Sequence, residues 1–97
     1  MQKYVILINW TEQGVANARD TVDRYHAAKQ AWESAGGTFD LALWTLGAYD
    51  LVAVVSAPDA ETVAAFGLRL GAAGNLRTTI LRAFDESEMA AIVGTLG

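Results

Sequence analysis

Leu46-Gly47-Ala48-Tyr49-Asp50-Leu51 is the stretch that decides the fold, because it separates two strongly apolar runs, residues 39–46 and 51–57. Such a break between two strand-like runs predicts a tight turn that joins two antiparallel strands. Gly47 permits the positive φ angle that these turns often need, and Asp50 can bond to nearby backbone amides. The resulting hairpin lies midway between two helical segments, and it therefore fixes the order of the other elements.

The segment before the hairpin predicts one strand and one long helix. Residues 3–10 are dense in β-branched and aromatic residues, which is typical of a central strand that is apolar on both faces. After a turn at residues 11–14, a helix is predicted to reach Ala35, just before a pair of glycines. Its inward stripe is predicted from intervals of three and four residues, and it comprises Val15, Ala18, Val22, Tyr25, Ala28, Trp32 and Ala35.

The segment after the hairpin predicts a second helix and a fourth strand. Pro58 ends the third strand, and Asp59 is a favoured N-cap for a helix that reaches about Ala73. Residues 76–84 alternate as a strand does, and a short helix follows Asp85. The prediction is a single α+β domain over residues 1–97 with the ferredoxin-like order β-α-β-β-α-β. It has a four-stranded antiparallel sheet with both main helices on one face, plus a short C-terminal helix.

The composition indicates that the sheet has a partner. Hydrophobic residues make up 53% of the 97 residues and charged residues 19%, which is more apolar surface than a domain of this size can bury alone. Alternation gives the second strand two apolar faces, Phe39, Leu41 and Leu43 against Ala42, Trp44 and Leu46. We therefore predict a homo-oligomer, a dimer or higher, in which the helix-free sheet faces pack together.

Charge and residue types limit the remaining functions. A net charge of −4 argues against a nucleic-acid partner, and no apolar run approaches the roughly 20 residues that span a membrane. The chain opens without a signal-peptide pattern and has no cysteine, which is typical of a cytoplasmic protein. One histidine and no cysteine predict no metal site, and no cofactor is predicted. We interpret His26 as a surface or interface residue; the alternatives are a base or an axial haem ligand.

A polar and aromatic cluster is predicted at one end of the sheet. The first and third strands are expected to run in the same direction, which would place Trp10 and Tyr49 at opposite ends. The fourth strand is expected to run antiparallel to the first, which brings together a candidate ligand site of Asn9, Trp10, Thr11, Asn75 and Arg77. Arg77 suits a carboxylate or an enolate, and Asn9 suits a carbonyl group. The alternative is that Arg77 pairs with an acid across an interface, while Asn9 caps the following turn.

The turn residues Gly47, Tyr49 and Asp50 have two interpretations. Tyr49 and Asp50 would form an acid–base pair if burial raised the pKa of Asp50. In the structural interpretation, which we favour, Asp50 locks the turn through its own backbone and Tyr49 packs on the hairpin.

Four separated blocks resemble the GYD domain family, which is named for a glycine-tyrosine-aspartate motif at the hairpin. The blocks are residues 9–14, 47–50, 74–79 and 81–84, and the resemblance extends from Tyr4 to Phe84. Ala48 separates Gly47 from Tyr49, so the literal tripeptide is absent from this chain. The resemblance implies a ferredoxin-like fold of the dimeric α/β-barrel kind, and it implies neither a specific activity nor catalytic residues.

Two functions follow as hypotheses. The first is a binding or assembly module without catalysis, oligomeric through its sheet and holding a small-molecule ligand in a cleft between sheet and helix. The alternative is a cofactor-independent enzyme of the dimeric α/β-barrel kind, a monooxygenase or isomerase that acts on an aromatic or enolisable substrate. This alternative rests on analogy of fold, and fold does not determine function.

Overall fold

A computed structural model describes all 97 residues, and it contains the predicted elements in the predicted order. Four strands, four α-helices and one 3₁₀ turn follow one another along the chain. They are β1 (Gln2–Trp10), α1 (Glu12–Ala16), the 3₁₀ turn (Ala18–Asp20), α2 (Thr21–Ser34), β2 (Thr38–Trp44), β3 (Leu51–Ala57), α3 (Ala60–Ala72), β4 (Leu76–Ala83) and α4 (Glu86–Gly94). No helix is long and apolar enough to cross a membrane.

The four strands form one antiparallel sheet in the order β2-β3-β1-β4, which confirms the α+β, ferredoxin-like prediction. The expected direction of β3 was wrong, because β1 pairs with β3 antiparallel and Ile8 lies opposite Leu51. The physical reason is the topology. A crossover helix returns the chain so that β1 and β2 point the same way, and the hairpin then reverses β3. The end of β1 therefore lies beside the start of β3.

The core fills the side of the sheet that faces α2 and α3. Alternate residues of β1 and β3 point to this side, and Trp32 of α2 is completely buried among them. The indole Nε1 of Trp32 donates a hydrogen bond to the backbone oxygen of Thr38 at 3.0 Å, so this polar atom is satisfied within the core. The ten residues of the core are Tyr4, Ile6, Ile8, Trp32, Leu51, Ala53, Val55, Ala57, Val63 and Phe66.

The predicted long helix is interrupted at Asn17. The Thr11 hydroxyl caps α1 by accepting from the Gly14 amide, and Asn17 ends α1 with φ −102° and ψ 23°. The 3₁₀ turn between α1 and α2 then changes which residues face the sheet. Val15 and Val22 are consequently 59% and 48% exposed, so their placement in the inward stripe was wrong. Ala35 is exposed as well, whereas Trp32 is buried and Ala18, Tyr25 and Ala28 are partly buried.

A β-bulge at Asp40 sets the faces of β2. Phe39 lies opposite Val55 and Leu41 lies opposite Val54, so one extra residue separates them. Phe39 therefore points to the helices with Ala42 and Trp44, whereas Leu41 points away from them. The prediction that Phe39 and Leu41 share a face was wrong for this reason.

The other side of the sheet, which we call the open face, has no helix over it. Its apolar side chains are partly or largely exposed, and Leu41, Leu43 and Leu81 are 49%, 50% and 46% exposed. The open face comprises Val5 and Leu7 of β1, Leu41 and Leu43 of β2, Val52 and Val54 of β3, and Leu81 of β4. The C-terminal helix does not cover it.

Helix α4 is well capped but unpacked. The side chain of Asp85 accepts from the Glu88 amide while the side chain of Glu88 accepts from the Asp85 amide, which forms a capping box. Arg82 and Glu88 form an ion pair at 3.6 Å that joins the helix to β4. No residue of α4 is buried, and its large apolar side chains are exposed, namely Met89, Ile92 and Val93.

Candidate functional site

The C-terminal end of β1 joins two loops that are distant in sequence. On one side lies the hairpin loop, residues 45–50. The backbone amide of Trp10 donates to a carboxylate oxygen of Asp50 at 2.8 Å, and the Asp50 amide donates to the Ile8 carbonyl at 2.8 Å. The side-chain amide of Asn9 donates to the Ala48 carbonyl at 2.7 Å. Three hydrogen bonds therefore attach the hairpin loop to β1.

Within the hairpin loop, Thr45 makes the closing contacts. Its amide donates to the Asp50 carbonyl at 2.8 Å, and its hydroxyl donates to the Tyr49 carbonyl at 2.6 Å. Gly47 has φ +105°, a region that glycine enters without steric cost. The structural interpretation of Asp50 needs one correction. Its carboxylate binds the backbone of β1 and not that of the turn, because the antiparallel direction of β3 places the two side by side.

On the other side of β1, the start of α1 is bonded to the connection between α3 and β4. The Thr11 hydroxyl donates to the Gly74 carbonyl at 2.5 Å, and the Thr11 amide donates to the Asn75 carbonyl at 3.1 Å. Gln13 donates to the Ala73 carbonyl at 3.0 Å. Gly14 packs so closely that an added Cβ would overlap the backbone oxygen of Asn75. Thr11 thus caps α1 and also attaches this helix to the connection between α3 and β4.

The predicted ligand residues lie together, but they divide between the two faces of the sheet. In the ladder, Asn9 lies opposite Arg77 and Trp10 lies opposite Leu76. Asn9 and Arg77 therefore lie at the edge of the open face, whereas Trp10 points to the helix side. Thr11 and Asn75 use their backbone groups to hold the loops together, and Arg77 forms no ion pair within the chain. Tyr49 and Trp10 lie at the same end of the sheet, contrary to the prediction.

A cavity of about 100 Å³ lies on the helix side, between α2, α3 and the sheet. Helix α2 packs on β2, and α3 packs on β4 and β3, so a space remains between the two helices. The walls are mainly apolar, and the polar groups at the walls come chiefly from Thr21, Arg24 and Asn75. Of the predicted ligand residues, only Asn75 lines this cavity.

Arg24 is the functional candidate that sequence reasoning missed. Its Nη1 donates to the Asn17 carbonyl at 2.6 Å, whereas its Nη2 is buried and has no hydrogen-bond partner. The other buried side-chain nitrogen without a partner is Trp10 Nε1. A signal was available in the sequence, because Arg24 adjoins Tyr25 and lies four residues before Ala28, at the edge of the inward stripe.

A second polar cluster lies at the opposite end of the open face, around the bulge residue Asp40. The Ser56 hydroxyl donates to one carboxylate oxygen at 2.6 Å, the Thr38 hydroxyl donates to the other at 3.1 Å, and Lys3 lies 3.7 Å away. The hydrogen bond from Ser56 is the main cause that lowers the pKa of Asp40 below its ordinary value of 3.8. Burial is the second-largest cause and opposes this bond by raising the pKa, whereas the bond from Thr38 and the charge of Lys3 are smaller effects that lower it further.

The single histidine is not part of either cluster. His26 is exposed on α2, and its ring centroid lies 5.6 Å from that of Tyr25. This position agrees with the surface interpretation. No group of three or more histidine, cysteine, aspartate or glutamate side chains is arranged to hold a metal ion.

Comparison with known proteins gives three matches of nearly full length. The sequence model of the GYD domain matches residues 4–93. The glutamine synthetase and cystathionine beta-lyase binding protein of Thermus thermophilus is 32% identical over 92 residues, which are 94% of this chain and 97% of that protein. The crystal structure of TTHA0845, also from Thermus thermophilus, matches with a TM-score of 0.54 and 25% identity over 88% of this chain and 95% of that one. The predicted family is thereby confirmed: the chain belongs to the GYD domain family.

Proposed function

We propose that this GYD domain is an assembly module in which two copies pair through their open faces and the pair binds other proteins. The observation that carries the proposal is the set of seven aliphatic side chains on the open face that no part of the chain covers. Contiguous apolar patches of this kind are typical of interaction sites. Two sheets that pack face to face, about 10 Å apart, would bury both patches.

The size of the open face suggests that α4 takes part in the pairing. Four strands about 4.8 Å apart and about seven residues long, at 3.3 Å per residue, cover roughly 440 Å² in projection. Stable protein pairs bury about 800 Å² on each partner. Even with the relief of the side chains, the sheet alone is near the lower limit. Helix α4 projects its exposed apolar residues from the edge strand β4, and it would extend the interface.

The polar residues at the two ends of the open face also support pairing of two copies through this face. Asn9 and Arg77 lie at one end, and the cluster of Lys3, Asp40 and Ser56 lies at the other. An apolar centre with a polar rim is the usual anatomy of a protein interface. Arg77 has no acidic partner within its own chain, so an acid of the second copy would complete it. This is the interface alternative for Arg77.

Binding of other proteins is supported by the Thermus relative, which is named for binding glutamine synthetase and cystathionine beta-lyase. We propose for the present chain only the general function in that name, which is binding to enzymes. The cytoplasmic location predicted from the sequence is part of the same proposal.

The test of the proposed pairing is a matched pair of leucine substitutions. Leu43→Asp places a charge on the open face, in the edge strand β2, and Leu68→Asp places the same charge on α3, where Leu68 is already 76% exposed. Light scattering should give twice the chain mass for the wild type and for L68D, and the single mass for L43D. Circular dichroism checks that both variants fold. A wild type that is monomeric at micromolar concentration would refute the proposal.

The enzyme alternative, a cofactor-independent monooxygenase or isomerase, has one specific observation in its favour. Arg24 lines the cavity on the helix side and its Nη2 is buried without a partner, so its guanidinium would stabilise an enolate that forms there. An isomerase would exchange the α-protons of an enolisable ketone in heavy water, and Arg24→Gln would slow that exchange. Exchange at the rate of the buffer alone would exclude this chemistry.

A further inference from the structure

We infer that the cavity between α2, α3 and the sheet is a binding site for a small carboxylic acid with a compact, branched apolar body. Arg24 binds the carboxylate, and the apolar walls surround the body. The site lies on the opposite side of the sheet from the open face, so it goes beyond the proposed assembly function. It does not require a second copy of the chain.

The walls of the cavity select an apolar body. Of its 16 lining residues, 13 are hydrophobic, and they come from both helices and from all four strands of the sheet. The floor is formed by Ile6 and Ile8 of β1 with Leu51 of β3, and Phe66 of α3 forms part of the wall. Few side chains in these walls can hydrogen-bond to the body of a ligand, so sugars and polyols, which carry many hydroxyl groups, are disfavoured there.

The volume limits the size of that body. A cavity needs about 10–15 Å³ on this measure to hold one water, and an engineered apolar cavity of about 150 Å³ binds benzene. At about 100 Å³, this cavity is suited to a body somewhat smaller than benzene. A branched chain of about four carbons meets that limit, whereas a fatty acid or a fused aromatic ring exceeds it.

The guanidinium of Arg24 supplies the charge that recognises the acid. One of its nitrogens is fixed by the carbonyl of Asn17, the residue at which the long helix is interrupted. Its other terminal nitrogen is buried without a partner, and no acidic side chain forms an ion pair with it. A planar guanidinium with a free N–H group matches the geometry of a carboxylate. The helix interruption thus positions a charge that the chain itself does not neutralise.

Two other polar side chains at the cavity already accept hydrogen bonds within the chain. The Thr21 hydroxyl accepts a hydrogen bond from the indole of Trp44 at 3.0 Å, and the Asn75 side-chain oxygen accepts one from Gln13 at 3.1 Å. Arg24 is therefore the polar side chain in the walls that retains an unused buried donor. A ligand with one anionic group and no further polar atoms satisfies the site.

The test uses 3-methylbutanoate as the probe and 3-methylbutanol as its uncharged counterpart, with acetate as a carboxylate that lacks the body. Titration followed by amide chemical shifts should show saturable changes around Ala28 and Leu70 for 3-methylbutanoate. The alcohol and acetate should each bind at least tenfold more weakly. Equal binding of the acid and the alcohol, equal binding of acetate, or no saturable shift at about 20 mM probe would overturn the inference.

Two variants locate the site. Arg24→Gln should weaken binding of 3-methylbutanoate at least tenfold, whereas Arg19→Gln, an exposed arginine of the 3₁₀ turn, should leave it unchanged. Ala28→Leu fills the cavity from α2 and should abolish binding while the protein remains folded. Because this measurement does not depend on mass, a monomeric wild type would refute the proposed pairing and leave the ligand site standing. Wild-type affinity in R24Q or in A28L would refute the ligand site alone.

Discussion

The two faces of this sheet are formed by the same strands, but the helix side is buried within the chain and the open face is partly or largely exposed. On the helix side, alternate residues of β1 and β3 are buried with Trp32 and Phe66. On the open face, the intervening residues are equally aliphatic but remain partly exposed. A strand that is apolar on both sides is typical of a sheet that is covered on both faces. The chain supplies a cover for one face only.

The difference teaches where stability and recognition reside. Contacts on the helix side are made within one chain, so they stabilise the fold at any protein concentration. Contacts on the open face would be made between chains, so their effect would depend on concentration by mass action. Substitutions on the two faces should therefore differ in size and also in this dependence.

The largest expected effect follows from truncating the helix side at its most buried residue. Trp32→Ala removes a fully buried ring that contacts Phe66 at a centroid distance of 4.8 Å, and it should lower the free energy of unfolding by about 3–5 kcal/mol. The loss should be the same at every protein concentration. Leu43→Ala on the open face should cost little in dilute solution and more as the concentration rises. Urea denaturation at two concentrations measures both, and a concentration-independent loss in L43A would contradict the comparison.

A second, smaller effect on stability is expected at the C-terminal end of β1, where the hairpin loop is bonded to that strand. Asp50→Ala removes the acceptor of the Trp10 amide and leaves that partly buried donor unpaired. Hydrogen bonds to charged groups contribute about 1.5–3 kcal/mol, so a loss in that range is expected for unfolding in urea.

Two further variants establish the cause of that loss. Asp50→Asn keeps an oxygen acceptor at the same place and should lose less than Asp50→Ala. Asp20→Ala should lose little, because the side chain of Asp20 makes no capping hydrogen bond. Equal losses in D50A and D20A would show that the bond to β1 does not hold the hairpin loop.

Local signals explain what the sequence predicted well. The hairpin, the helix after Asp59 and the order of elements along the chain follow from turn residues, caps and periodicity, all of which act over a few residues. The β-bulge at Asp40 depends on partners that are distant in sequence, because Ser56 and Lys3 stabilise the carboxylate there. No pattern within β2 fixes that position, and the assignment of Phe39 and Leu41 to one face failed as a result.

The candidate site was less predictable for a related reason. Asn9, Trp10, Thr11 and Asn75 do lie together, because ladder pairing follows from strand order. Tyr49 and Asp50 were separated from them by an error in strand direction, and the antiparallel pairing of β1 with β3 corrects it. The position of Arg24 beside the inward stripe was a sequence signal, but its bond to Asn17 depends on the interruption there, which divides the predicted long helix. The hairpin loop that carries the family motif is thus hydrogen-bonded to the polar end of β1.

The smallest expected effect concerns acid stability at the far end of the open face. The hydrogen bond from Ser56 lowers the pKa of Asp40 in the folded chain below 3.8, its value when unfolded. A group with a lowered folded pKa contributes stability above its unfolded pKa, and this contribution is lost as the pH falls through the folded value. Asp40→Asn should therefore reduce stability at neutral pH and make the decline below about pH 4 shallower. Asp20→Asn serves as the control, and thermal unfolding between pH 3 and pH 7 is the measurement. If D40N and the wild type decline in parallel, the Ser56–Asp40 bond does not contribute to the acid dependence of stability.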